Sequence, residues 1–245
     1  MHVWLVTPAW SRVEVTRLAL AQRAHLRGEL AALGIGLSCV VVADDDNLGL
    51  AAEFGFDGLW QDNEFLGRRV NDGIKYAYDR GADFVCFAGS DNWLHGALFE
   101  PLVKGSAKVA YYPLESGLLP PSTIIAGRSL AVVDLASGRS VVSRPGGIKG
   151  VAPWLMPRGL FDTFGARPVQ ETASAGMEMQ LAIGLGLPAF VFHDPNPCAR
   201  VDFKSDVNMT PFAAFDRPGL PEARLRDFYP AELCDLVDAR MAVAV

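Results

Sequence analysis

Cysteine is scarce and scattered. The chain holds 4 cysteines in 245 residues, Cys39, Cys86, Cys198 and Cys234, and no Cys-x-x-Cys pair. That spacing argues against a disulfide framework and against a structural zinc site. Cys39 and Cys86 lie inside apolar runs and read as small core residues. Basic charge is also short, with a formal net charge of -6 and a pI near 5.2. A dedicated nucleic-acid binder carries a basic face, so this balance disfavours that class. No apolar run is long enough to span a bilayer. The first residues lack a basic region ahead of an apolar stretch, so no signal peptide is expected. Internal repeats and low-complexity linkers are absent too. Together these absences predict a soluble, cytoplasmic protein. What is present is a chain that is 50% hydrophobic, enough for one full core.

The first hundred residues alternate between short apolar runs and helical patterns. Val3 to Val6 reads as a strand, ended by Thr7-Pro8. Val13 to Leu33 reads as a helix, with arginines filling the gaps between its apolar positions and Gly34 and Gly36 stopping it. Ser38 to Ala43 is a second strand, followed by a short helix through Leu48, Leu50, Ala51 and Phe54. Asp57 to Trp60 is a third strand, and Phe65 to Arg80 a helix with Val70, Ile74 and Ala77 on one face. Asp83 to Ala88 is a fourth strand. This order predicts a mainly parallel sheet flanked by helices.

After Trp93 the pattern changes. Val109 to Tyr112 reads as a strand and Pro113 to Pro121 as a Pro/Gly loop. Ser122 to Ala126, Ser129 to Asp134 and Ser140 to Ser143 read as short strands of a mixed, largely antiparallel region. Pro153 to Pro157 reads as a loop, Met177 to Leu185 as a helix, Leu187 to His193 as a strand and Pro230 to Met241 as a helix. The expectation is one α/β domain over 1–245, divided into 1–100, 101–212 and a 213–245 tail.

Chemistry gathers at the ends of the strands. The fourth strand runs into Gly89-Ser90-Asp91-Asn92. The first ends in Thr7-Pro8-Ala9-Trp10-Ser11-Arg12, and the second in Asp44-Asp45-Asp46-Asn47. Parallel strands place these ends along one edge, where open α/β sheets bind ligands. The third helix adds Arg68, Arg69, Asn71 and Lys75. Such a set suits a nucleotide diphosphate: a carboxylate accepts from base or ribose, Arg and Lys neutralise phosphate, and Asp91 holds a divalent cation. The competing reading makes Asp91 a plain turn residue, Asp44 to Asp46 a helix cap, and Arg68 and Arg69 surface residues.

Four of these stretches, in this order, resemble family 2 glycosyltransferases. Leu5 to Arg12 resembles that family's opening strand and Pro-x-aromatic-x-Arg turn, and Val40 to Asp45 its second strand with a nucleoside-binding Asp. Val70-Asn71-Asp72-Gly73-Ile74 is similar to its Arg-Asn-x-Gly helix, with Val70 in place of the Arg, and Phe84 to Trp93 to the strand bearing its Asp-x-Asp motif. The resemblance implies a GT-A fold and a nucleotide-diphosphate-sugar donor, a UDP-sugar first among them. It assigns Pro8, Trp10, Arg12, Asp44, Asp45, Arg68, Arg69, Asn71, Ser90 and Asp91 to the donor, with Mn2+ or Mg2+ on Asp91. The first Asp of the motif is replaced by Gly89, which implies a weaker metal site.

The second half resembles the family's acceptor side. Ala152 to Arg158 is similar to the loop that reaches the sugar. By the same match Glu178 stands where inverting members carry the general base. His193 is a candidate second metal ligand and Lys204 a phosphate partner. Glu178 also suits the first turn of a helix, and His193 a packed loop. Trp10, Trp93 and Trp154 are placed to stack on a base or sugar, whereas Trp60 is expected to fill the core. The compact form resembles stand-alone transferases of bacteriophages, which act on proteins or DNA bases. Two other classes stay open: a sugar-1-phosphate nucleotidyltransferase, whose Gly-rich first turn is missing here, and a non-catalytic sugar-nucleotide binder.

Overall fold

The computed structural model describes residues 1–43, 46–103, 113–114, 117–118, 124–126, 130–143, 154–173, 190–192, 198–205 and 211–243. Its first part follows the expected alternation: β1 (His2–Pro8), α1 (Val13–Ala32), β2 (Gly36–Ala43), α2 (Asp46–Glu53), β3 (Asp57–Trp60), α3 (Leu66–Asp79) and β4 (Phe84–Phe87). β4, β1, β2 and β3 lie side by side and parallel. Their apolar runs are continuous because both faces are covered. One face packs Val3, Leu5, Cys39 and Val41 against Leu20, Leu26 and Leu30 of α1 and Leu50 of α2. The other packs Trp4, Val6, Val40 and Val42 against Val70, Ile74 and Ala77 of α3.

The rest of the chain extends this sheet and builds a second one. β5 (Asn92–Leu94), a 3-10 turn (Gly96–Phe99) and α4 (Glu100–Val103) come first. β6 (Pro113–Leu114) and β7 (Gly117–Leu118) form a small antiparallel hairpin inside the stretch read as a loop. Next come β8 (Ile124–Ala126), β9 (Leu130–Asp134), β10 (Ser140–Ser143), β11 (Trp154–Pro157) and α5 (Arg158–Phe164). β12 (Phe190–Phe192), β13 (Arg200–Lys204) and α6 (Ala231–Val243) complete the chain. The large sheet has 7 strands in the order β12-β8-β11-β4-β1-β2-β3, and the second has 4 in the order β10-β9-β13-β5.

Several expectations are corrected. Pro153 to Pro157 was read as loop, yet Trp154 to Pro157 form β11, antiparallel to β4 and β8. A proline at the last position of a strand removes only one donor, so it does not prevent the pairing. The three short strands of the expected antiparallel region split between sheets: β9 and β10 pair with each other, while β8 joins the large sheet parallel to β12. β5 and β13 were not expected as strands. Val109 to Tyr112 and Met177 to Leu185 lie outside the described residues.

α3 lies close on the sheet because position 73 has no side chain. A Cβ there would overlap Val6 Cγ1 and come within 3.0 Å of Val42 Cγ2. The first turn of α3 is held from the other side. Gly67 N donates to Ala173 O at 2.8 Å, and the Asn71 amide brackets the backbone of Val169 at 2.7 and 3.0 Å. All four cysteines are buried and none forms a disulfide, and burial pushes the Cys39 and Cys86 thiols up. Among the described residues, no helix is long and apolar enough to cross a membrane.

Gly73→Ala is expected to destabilise the protein by about 1–3 kcal/mol, the usual range for overpacking. Urea unfolding of the variant checks it, and an unchanged midpoint would show that α3 can shift at no cost. The four cysteines are expected to resist a thiol reagent in the native protein and to react only on unfolding.

Candidate functional site

The turn between β4 and β5 is positioned from beneath by one face of α1. Trp93 Nε1 donates to Leu18 O at 2.8 Å. Leu94 N donates to Gln22 Oε1 at 3.2 Å, and Gln22 Nε2 donates to Leu94 O. Arg23, fully buried, donates from Nη2 to Gly89 O at 2.8 Å. Burial pushes its pKa down, with Asp91 among the groups pulling it back up. The arginines of this helix were read as gap fillers on an exposed face. Arg23 is not one of them, since it falls three residues before Leu26 and seven before Leu30, both in the core.

The turn itself is closed by its own side chains. Gly89 N donates to Asn92 Oδ1 at 3.1 Å, and Asn92 Nδ2 to Asp91 Oδ1 at 3.3 Å. A Cβ at position 89 would lie 2.7 Å from Asp91 Oδ1 and 3.2 Å from Asn92 Oδ1. Gly89 therefore leaves room for the present positions of the Asp91 and Asn92 side chains. Ser90 is buried.

The turn after β1 meets it. Arg12 Nη1 donates to Asp91 Oδ2 at 3.0 Å, with side chains only 18% and 16% exposed. Ser11 holds φ at 53°, the one positive φ outside glycine among the described residues, and Arg12 N donates back to Trp10 O at 2.8 Å. A γ-turn of this hand is strained, and strain of this kind clusters at functional sites. Arg69 Nη1 donates to Ala9 O at 2.8 Å and braces the same turn. Pro8 is buried at the strand end, while Trp10 stands 53% exposed.

β13 brings a third set of groups. Arg200, Asp202 and Lys204 alternate with Val201 and Phe203, so the charged residues share one face and the apolar ones the other. Every residue of this strand is buried. Lys204 Nζ pairs with Asp202 Oδ2 at 2.8 Å. Asp202 lies directly opposite Asn92, and Phe203 N donates to Asp91 O at 2.8 Å. Burial first, and then Asp91, pushes the Asp202 carboxyl up, against the pull of Lys204 and Arg200. The pattern Arg-Val-Asp-Phe-Lys is a period-two alternation, the signal by which this strand could have been recognised.

The described residues thus bring together Pro8, Trp10, Arg12, Ser90, Asp91 and Lys204 of the expected set. Others are elsewhere. Trp93 is fully buried between Phe203 and Tyr229, with ring centroids 5.0 Å from each, so it is a core residue and not a sugar platform. Trp60, expected in the core, is 63% exposed at the end of the edge strand β3. Asn71 is a structural clamp whose amide pairs with Val169 at both ends. Arg68 lies on the surface beside Asp62 and Glu64, at 3.5 Å from each. Asp44, Asp45, Glu178 and His193 lie outside the described residues, as does the Trp154 side chain. Arg23, Arg200 and Asp202 were not anticipated.

No family model matches the sequence, and no curated protein is similar to it. Solved structures share the fold. The 1–349 portion of S. aureus TarS aligns at a TM-score of 0.52 with 13% identity, covering 79% of this chain and 58% of that one. The same portion in complex with UDP aligns at 0.51 with 12% identity, covering 98% and 65%. A Drosophila galactosyltransferase 7 variant, in complex with manganese, UDP-Gal and xylobiose, aligns at only 0.46 with 14% identity, covering 78% and 64%. The chain thus spans less than two thirds of the length of each. The architecture is that of GT-A glycosyltransferase folds, with a parallel-rich sheet between helices and mixed strands added at its edge.

Trp93→Ala is expected to cost about 3–5 kcal/mol of stability, as large-to-small changes of buried aromatics do. Trp10→Ala should stay within about 0.5 kcal/mol, as for an exposed residue. Urea titration of the two variants side by side checks both values.

Proposed function

We propose that the protein is a glycosyltransferase of the family 2-like inverting kind, moving a hexose from a UDP-sugar to an acceptor hydroxyl in the cytoplasm. The observation that carries this reading is the meeting of the β1 and β4 turns through Arg12 and Asp91, at the carboxyl edge of a parallel sheet where such folds take ligands. Trp10 stacks on the base, and Asp44 and Asp45 accept from the nucleoside. Arg12 and Lys204 face the diphosphate. Arg69 acts through the β1 turn, holding Ala9 in place.

Among the described residues no group of three His, Cys, Asp or Glu side chains forms a metal site, so a hard divalent cation would rest on one or two carboxylates together with phosphate oxygens of the donor. Asp91 and Asn92 supply oxygens at the turn, and one buried carboxylate oxygen, Asp202 Oδ1, has no hydrogen-bond partner among the described residues. Mn2+ or Mg2+, held by Asp91 with His193 as a further ligand, would supply positive charge to the departing diphosphate. The acceptor hydroxyl oxygen bonds to the anomeric carbon as the carbon–oxygen bond to the diphosphate breaks, and the electron pair of that bond leaves on UDP. Glu178 takes the hydroxyl proton. Trp154 lies at the acceptor side, on β11 next to β4.

Thermal shift with a panel of nucleotide sugars, with and without Mn2+, tests the donor. A ligand at 100 times its Kd adds about 2.7 kcal/mol, which for a chain of this size means roughly 5–10 °C. UDP-sugars should give that shift and Asp91→Ala should abolish its Mn2+-dependent part. No shift with any nucleotide sugar sinks the proposal. Glu178→Gln should keep the shift and lower transfer by about a hundredfold or more. Full transfer in that variant would remove Glu178 as the base.

A further inference from the structure

We infer that Asp202 on β13 is the second carboxylate of the cation site, standing in for the acid that position 89 lacks, and that Lys204 holds its place until the donor arrives. The inference rests on the donor-site reading above and names one more residue within it. An acid at position 89 would displace the Asp91 carboxylate from its present place, because a Cβ there would lie 2.7 Å from Asp91 Oδ1. Asp202 comes to the same place from the neighbouring strand. It sits directly opposite Asn92, so both side chains leave the same face of the sheet. Asn92 in turn donates to Asp91 Oδ1 at 3.3 Å.

Two features separate Asp202 from an ordinary buried ion pair. Its side chain is 10% exposed, and Oδ2 alone is paired, with Lys204 Nζ at 2.8 Å. Oδ1 is buried without a hydrogen-bond partner among the described residues, and a buried carboxylate oxygen left in that state is costly. A hard cation satisfies it with the ligand type such ions prefer. When the cation occupies Asp91 and Asp202, Lys204 exchanges the carboxylate for a phosphate oxygen of the same donor. The ammonium is a single charge on a flexible stem, which suits that exchange.

The test is UDP affinity by titration calorimetry, at zero and at saturating Mn2+, for wild type, Asp91→Asn, Asp202→Asn, Asp202→Glu and Lys204→Gln. Wild type should gain at least tenfold from Mn2+. Asp202→Asn should lose that gain, as Asp91→Asn does, and Asp202→Glu should restore part of it. Lys204→Gln should weaken UDP at least fivefold at saturating Mn2+ and leave the Mn2+-free affinity near that of wild type, because Lys204 reaches the phosphate only once the cation has released it from Asp202. A merely structural Asp202 would lower both affinities and leave their ratio intact, which overturns the inference. So does a wild-type ratio of one, although UDP binding would then still support the donor site. Wild type that binds no UDP at all overturns the donor-site reading itself. If Asp202→Asn fails to fold, Lys204→Gln still decides, because an Mn2+ gain equal to that of wild type in that variant overturns the exchange.

Discussion

A buried guanidinium sets the position of the turn on which the site depends. Arg23 comes from the middle of α1 and is fully buried. Taking such a charge out of water is expensive by several kcal/mol. The offset comes from Gly89 O at 2.8 Å and Ala88 O at 3.4 Å, with the Asp91 charge nearby. Nε and Nη1 find no hydrogen-bond partner among the described residues. A residue that uncomfortable stabilises the fold poorly, and an apolar side chain would pack there at less cost. What it does provide is a fixed location for the backbone leading into Asp91. Gln22 and Leu18 hold the far side of the same turn through Leu94 and Trp93. The helix face that packs the core is therefore also the face that fixes the site.

The same economy appears at the other turns. Ser11 keeps a strained φ of 53° in the loop that delivers Arg12. Arg69 reaches from α3 to brace Ala9 in that loop. Gly73 allows α3 to lie near enough for this reach, because any side chain would meet Val6 and Val42. Close packing of the helix on the sheet and the aim of Arg12 are thus one arrangement. Loosening either should be felt at Asp91, since a packed core transmits small displacements.

The β-α alternation through β4 was legible because each segment carries its own period. Apolar runs such as Val40 to Ala43 are buried on both faces, and Val70, Ile74 and Ala77 mark one helix face. The second half was harder for physical reasons. β11 ends in a proline that mimics a loop signal, and only its partner β4 makes it a strand. β5 is three residues long, too short to show a period. Trp93 looked exposed because it follows an acidic turn, yet strand alternation from Asn92 turns it into the core. Trp60 looked buried by residue type, yet it ends an edge strand. Arg23 was read as one of the arginines that fill the gaps of its helix, and Arg200, Asp202 and Lys204 were not read as one face of a strand. Their phase with buried apolar neighbours said otherwise.

The charges within this region also explain why the pairs are not merely structural. Among the described residues, Arg12, Arg23, Arg200 and Lys204 face Asp91 and Asp202, so four positive charges meet two negative ones and two remain in surplus. A divalent cation alone would enlarge that surplus, whereas a diphosphate alone would reduce it. Cation and diphosphate arriving together change the net charge far less than the cation alone, and they give each carboxylate and each base a new partner. The arrangement therefore favours the pair of ligands over the cation by itself. It also favours Arg12 and Lys204 as the groups that move, because each pairs with one carboxylate oxygen at 2.8 to 3.0 Å, Lys204 also lying 5.1 Å from the centre of the Phe215 ring, while Arg23 is locked beneath the turn by backbone carbonyls.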